Sequence, residues 1–98
     1  MAVGFLDLEP DKEGYWLVML FIDRYSGYVL DIIYLKGRDT DAIIEVFRYI
    51  LSILKSQYHL KVKAIECDNE ITKTYALASY LNEKKHIRLE TSAPYTQS

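Results

Sequence analysis

Apolar residues fall in seven clusters separated by polar or turn-forming stretches. Val3 to Leu8 is a short apolar segment ending in Asp7-Leu8-Glu9-Pro10. Pro10 cannot continue a strand ladder, and Asp11-Lys12-Glu13-Gly14 reads as a turn. Tyr15 to Asp23 is almost continuously apolar and rich in aromatic and branched residues, the pattern of a buried strand. Arg24-Tyr25-Ser26-Gly27 reads as a hairpin turn. Tyr28 to Leu35 is a third strand, with Asp31 its one internal charge. Three strands joined by short turns predict an antiparallel meander.

The period then changes. Ile43, Phe47, Ile50 and Leu54 recur at spacings of four, three and four, with Ile44 and Leu51 beside them. That is one wide helical face. Asp39 or Thr40 can cap its start, Asp41 and Glu45 suit its positive end, and the helix ends near Tyr58. Val62 to Cys67 is a short β-branched strand, and Asp68-Asn69 ends it. Thr72 to Lys85 reads as a second helix, with Tyr75, Ala78 and Leu81 or Leu77 inward. Ile87 to Leu89 is a last short strand, and Thr91 to Ser98 a polar loop. The order β-β-β-α-β-α-β predicts an α/β fold with a mixed sheet, because a strand reached through a crossover helix pairs in parallel. Among small folds it fits an RNase H-like sheet. No repeat, linker or internal boundary is visible, so residues 1–98 read as one domain.

Composition narrows the function. The chain has 98 residues, half of them hydrophobic, and a net charge of −2. That excludes a small basic module that grips nucleic acid by bulk charge. A single cysteine, Cys67, excludes an internal disulfide. The longest apolar runs fall far short of the ~20 residues of a membrane helix. The start, Met-Ala-Val-Gly-Phe-Leu-Asp, is unlike a signal peptide, so an intracellular location is expected. Nine tyrosines are the one compositional skew. Trp16 and the strand tyrosines are expected in the core.

Chemistry concentrates at two acids. Asp7 ends the first strand and Asp68 the fourth, which are neighbours in an RNase H-like sheet. Two adjacent carboxylates repel unless a cation compensates, and oxygen ligands suit Mg²⁺ or Mn²⁺. The bland alternative has Asp7 opening a turn and Asp68 capping a helix.

Four segments carry a family resemblance. Phe5-Leu6-Asp7-Leu8, Phe21-Ile22-Asp23-Arg24-Tyr25-Ser26-Gly27-Tyr28, Asp68-Asn69 and Ser92-Ala93-Pro94-Tyr95-Thr96-Gln97-Ser98 occur in this order along nearly the whole chain. Together they resemble the catalytic core of retroviral and retrotransposon integrases, and within that family the copia-type elements of fungi. The last segment is the most specific. The resemblance implies an Asp, Asp, Glu triad holding two divalent metals, which trims DNA ends and joins them to target DNA. Asp7 is then the first acid and Asp68 the second. Asn69, Tyr95 and Gln97 lie in the segments that meet DNA. The partners implied are retroelement and target DNA in the nucleus, and further copies of the chain. The third acid falls about 35 residues after the second, near position 104 and past Ser98, as does its helix. The expectation is therefore a partial core without the C-terminal helices, inactive by itself. Apolar surface that those helices cover in the family is expected to promote self-association. Glu70 stands where the family has Gly; it is a surrogate ligand or, more simply, a residue suited to a helix N-terminus.

Other readings carry less. Asp23 is expected to accept turn hydrogen bonds, Glu66 to lie at a solvated rim, and Cys67 to pack inward. His59 and His86 lack ligand spacing and read as helix-end residues. Lys61, Lys63, Lys84 and Lys85 read as solvated. A ribonuclease H-type nuclease, a weaker alternative, usually has additional acids on the first helix, where Glu45 is offered near its start. A non-catalytic α/β interaction module is the alternative from another class.

Overall fold

The structure is a computed structural model that describes residues 1–67 and 74–91. Strands β1 (Ala2–Asp7), β2 (Leu17–Ile22) and β3 (Val29–Leu35) precede helix α1 (Thr40–Tyr58). Strand β4 (Ala64–Cys67) follows, then helix α2 (Tyr75–Ser79), which runs into a π-helical turn (Tyr80–Lys84), and strand β5 (Arg88–Thr91). The five strands form one mixed sheet in the order β3-β2-β1-β4-β5. β1, β2 and β3 pair antiparallel, whereas β4 joins β1, and β5 joins β4, in parallel. The C-terminal ends of β1 and β4 therefore point to the same edge of the sheet.

Register decides which side of each strand is covered. Val3, Phe5 and Asp7 of β1 lie opposite Phe21, Met19 and Leu17 of β2, which lie opposite Asp31, Ile33 and Leu35 of β3. Side chains opposite one another share a face. This face carries the helices. Ile43, Val46, Phe47, Ile50 and Leu54 of α1 are buried together with Val3, Met19, Phe21, Ile65 and Cys67. Phe21 and Phe47 meet edge to face, with ring centroids 5.8 Å apart. Cys67 is fully buried on this side, as strand alternation predicts. The opposite face bears Leu6, Val18, Leu20, Ile32 and Tyr34.

Both ends of α1 are made differently from a capped helix in isolation. Asp39 is the N-cap residue, but its side chain makes no capping bond. At the other end His59 adopts a left-handed conformation (φ 55°), and the Leu60 amide donates to the Leu54 carbonyl at 2.9 Å. His86 (φ 57°) has the same left-handed backbone after the π-helical turn. Both histidines are thus helix-end residues.

Three sequence expectations are corrected. Tyr75 was expected to face inward and is 80 % exposed; Leu77, Tyr80 and Leu81 are the buried residues of this stretch. The i, i+4 pair Leu77 and Leu81 sets the inward face, and the π-helical turn brings Tyr80 onto it. Tyr28 and Tyr34 were expected in the core but are exposed: Tyr28 belongs to the β2–β3 turn, and β3 turns Tyr34 away from α1. Trp16 is half-buried, and its indole N–H donates to the Lys36 carbonyl. It therefore ties the start of β2 to the end of β3 instead of filling the core.

Candidate functional site

The candidate site is the sheet edge where β1 and β4 end. Asp7 closes β1 as a side chain 64 % exposed. Pairing with β2 continues past it, since the Leu8 amide donates to the Trp16 carbonyl at 2.7 Å. The turn beyond is held by Asp11, whose carboxylate accepts from the Glu13 and Tyr15 amides at 2.9 and 3.0 Å. Gly14 (φ 90°) completes it. Among the bonds described, Asp7 thus does no turn-forming work. Its carboxylate accepts from Arg38 Nη2 at 2.9 Å. The same guanidinium lies 5.2 Å from the Phe5 ring centroid. Phe5 and Asp7 are two apart on one face of β1, so a cation from the β3–α1 connection reaches both.

The second acid, Asp68, and Asn69, Glu70, Tyr95 and Gln97 lie outside the described residues. Cys67, immediately before Asp68, ends β4. Among the described residues, no three His, Cys, Asp or Glu side chains group as metal ligands. Asp7 is thus one carboxylate at this edge, paired with Arg38.

A second charged cluster lies on the opposite face. Glu66 and Glu90 are directly paired across β4 and β5, where two carboxylates repel. Arg24, from the β2–β3 turn, offsets that repulsion. Its Nη2 lies 3.0 Å from Glu66 and its Nη1 2.6 Å from Glu90. Arg88 adds bonds to Glu90 at 3.0 and 3.1 Å. The hydrogen bonds from Arg24, then those from Arg88, hold the Glu90 carboxyl below its ordinary pKa. The Glu90 contact in turn raises the pKa of Arg24. The row Ile22, Ala2, Glu66, Glu90 crosses the sheet with only alanine on β1, which leaves the space above β1 open to Arg24. Sequence reading missed this bridge. Its signal is the pair of acids at matching strand positions, which is visible only once the strands are aligned.

Asp23 does what its sequence context predicts. It accepts from the Ser26 hydroxyl at 2.7 Å and from the Tyr25 amide at 3.3 Å, and these bonds lower its pKa. Gly27 (φ 79°) supplies the left-handed residue of the turn. Glu45 pairs with Arg48 one turn along α1, on its exposed side. No described helix is long and apolar enough to cross a membrane.

No family model matches the chain, and a search of curated proteins also finds no match.

Proposed function

We propose that this chain is part of the catalytic core of a retroelement integrase, with an RNase H-like sheet. The carrying observation is the strand order β3-β2-β1-β4-β5, with a meander flanked by two parallel strands reached through helices. It directs the ends of β1 and β4 to one edge, with Asp7 at the end of β1. The Asp23–Tyr28 hairpin motif and the Ser92–Ser98 segment add the family-specific support. In this reading Asp7 and Asp68 hold Mg²⁺ or Mn²⁺, which supplies Lewis-acid stabilisation to phosphoryl transfer. Asn69, Tyr95 and Gln97 contact DNA, and the work is done in the nucleus.

The test is titration of Mg²⁺ into the isotopically labelled chain, followed by NMR. Amides at Asp7 and Asp68 are expected to shift at millimolar metal, and Asp7→Asn to abolish the response. No shift at either acid overturns the metal site. One observation favours a second reading, a non-catalytic interaction module: the Asp7 carboxylate already has a cationic partner in Arg38. That reading expects no response to the metal.

A further inference from the structure

We infer that the sheet edge opposite Asp7 carries a lysine-built site for the phosphate backbone of a DNA duplex. Residues 59–63 (His-Leu-Lys-Val-Lys) and 84–88 (Lys-Lys-His-Ile-Arg) hold five of the twelve lysines and arginines and both histidines, with no acid. The first segment leads into β4 and the second into β5. These strands run parallel, with Ala64 opposite Arg88, and the Arg88 amide donates to the Lys63 carbonyl at 2.9 Å. Two basic segments far apart in the chain therefore enter the sheet side by side. β1 is parallel to β4, so this is the edge where β1 begins, whereas Asp7 closes β1 at the other.

The anchoring of both segments leaves their charges outside. Val62 packs against the core, and Ile87 is buried. Lys61, Lys63, His86 and Arg88 flank these two anchors and are exposed, as are His59, Lys84 and Lys85. The acids nearby are already engaged. Glu90 takes Arg88 and Arg24, Glu66 takes Arg24, and Glu83 accepts from the Ser79 hydroxyl. All four arginines of the chain are ion-paired. Among the described residues, Lys61, Lys63, Lys84 and Lys85 pair with no carboxylate. The net charge of −2 excludes attraction by the chain as a whole, but the local field at this edge is positive.

Lysines without an apolar centre fit a phosphate backbone better than a protein partner. Protein interfaces are depleted in lysine, and aromatic residues fill their cores. Lysine is an ordinary partner of backbone phosphates, where it positions a duplex without reading its sequence. Within the ten residues Leu60 is the one large hydrophobic side chain left exposed. The inference goes beyond the metal reading. It concerns the other edge of the sheet and contacts made by ammonium groups directly, so either can fail without the other.

Fluorescence anisotropy of a labelled DNA duplex, at low salt and with a chelator present, tests the site. Binding is expected, and it weakens with salt at a logarithmic slope of about 3–4, as four lysine–phosphate contacts require. Lys61→Gln with Lys63→Gln, and Lys84→Gln with Lys85→Gln, are each expected to weaken binding about fivefold or more and to lower the slope by about two. Lys12→Gln with Lys36→Gln makes the same charge change at the Asp7 edge and leaves both quantities unaltered. The two pairs are independent, so if one variant does not fold the other decides. An absence of binding, or binding that ignores the Lys61/Lys63 and Lys84/Lys85 variants, overturns the inference. So does an equal loss in the Lys12/Lys36 variant, or tighter binding to polyglutamate or to anionic lipid vesicles than to the duplex.

Discussion

Arg38 and Asp7 form an ion pair at 2.9 Å at the very end of β1, and the Arg38 guanidinium also stacks over Phe5. The side chain on which the metal reading depends is therefore already engaged by a cation. Both partners are substantially exposed, so the pair adds little stability, about 1 kcal/mol or less. Its effect on cation binding is larger. Arg38→Ala is expected to leave the melting temperature almost unchanged and to raise Mg²⁺ affinity at Asp7 by roughly two- to fivefold, as a competing charge is removed. Isothermal titration with both chains checks this; equal affinities place Arg38 outside the cation site.

The contact between Phe21 and Phe47 fastens α1 to the meander. Both rings are fully buried. Phe47→Ala is expected to cost about 3–5 kcal/mol through lost transfer energy and the cavity left behind. A domain of this size has about 5–15 kcal/mol in total. Urea denaturation of the variant will show a midpoint close to zero denaturant or a chain already unfolded. Phe47→Leu keeps most of the volume and loses far less.

The acid limb of stability follows from Glu90. Arg24 and Arg88 hold its carboxyl below the ordinary range, so the folded state releases this proton more readily than the unfolded chain. A depressed folded-state pKa contributes stability above the unfolded value of about 4.3, and loses it as pH falls through the folded value. Asp23 acts in the same direction through the Ser26 hydroxyl and the Tyr25 amide. Melting temperatures measured from neutral pH down to about pH 3 should fall, and Glu90→Gln should flatten part of that fall. Added salt should weaken the difference between the two proteins, because the cluster is solvent-accessible. Identical acid limbs would remove Glu90 from the account.

Glycines with different backbones make a paired test of the turns. Gly27 holds φ 79°, where a Cβ is strained even though the space around it is open. Gly27→Ala is expected to cost about 1 kcal/mol. Gly37 has no such φ, and a Cβ there meets nothing within 4 Å. Gly37→Ala is expected to be neutral or stabilising by up to about 1 kcal/mol, through the unfolded chain alone. Thermal melts of the two variants should move apart; equal shifts would contradict the turn assignment.

Local features were legible in the chain because they arise from neighbouring residues. The Asp23–Gly27 turn, the buried face of α1 and the inward side of Cys67 all follow from short spacings. The candidate site was legible only as motif positions. Asp7 is at the expected strand end, but its guanidinium partner is 31 residues away, and nothing in the intervening pattern marks it. The phase of α2 was misread for a different reason. The pattern allowed Tyr75 or Leu77 inward; packing chose Leu77 with Leu81, and Tyr75, two residues before Leu77, then points away.

The sequence by itself determined where strands and helices begin and end to within a few residues. Those periods come from backbone geometry, which acts over three or four residues. Tertiary structure alone decided which face of the sheet received α1 and which was left to Leu6, Ile32 and Tyr34. Both faces read as apolar, and covering one requires a helix that packs across strands distant in sequence. It also decided that Arg24 meets Glu66 and Glu90, and that Arg38 meets Asp7. Charges attract by distance in space, and the register between β1, β4 and β5 sets that distance.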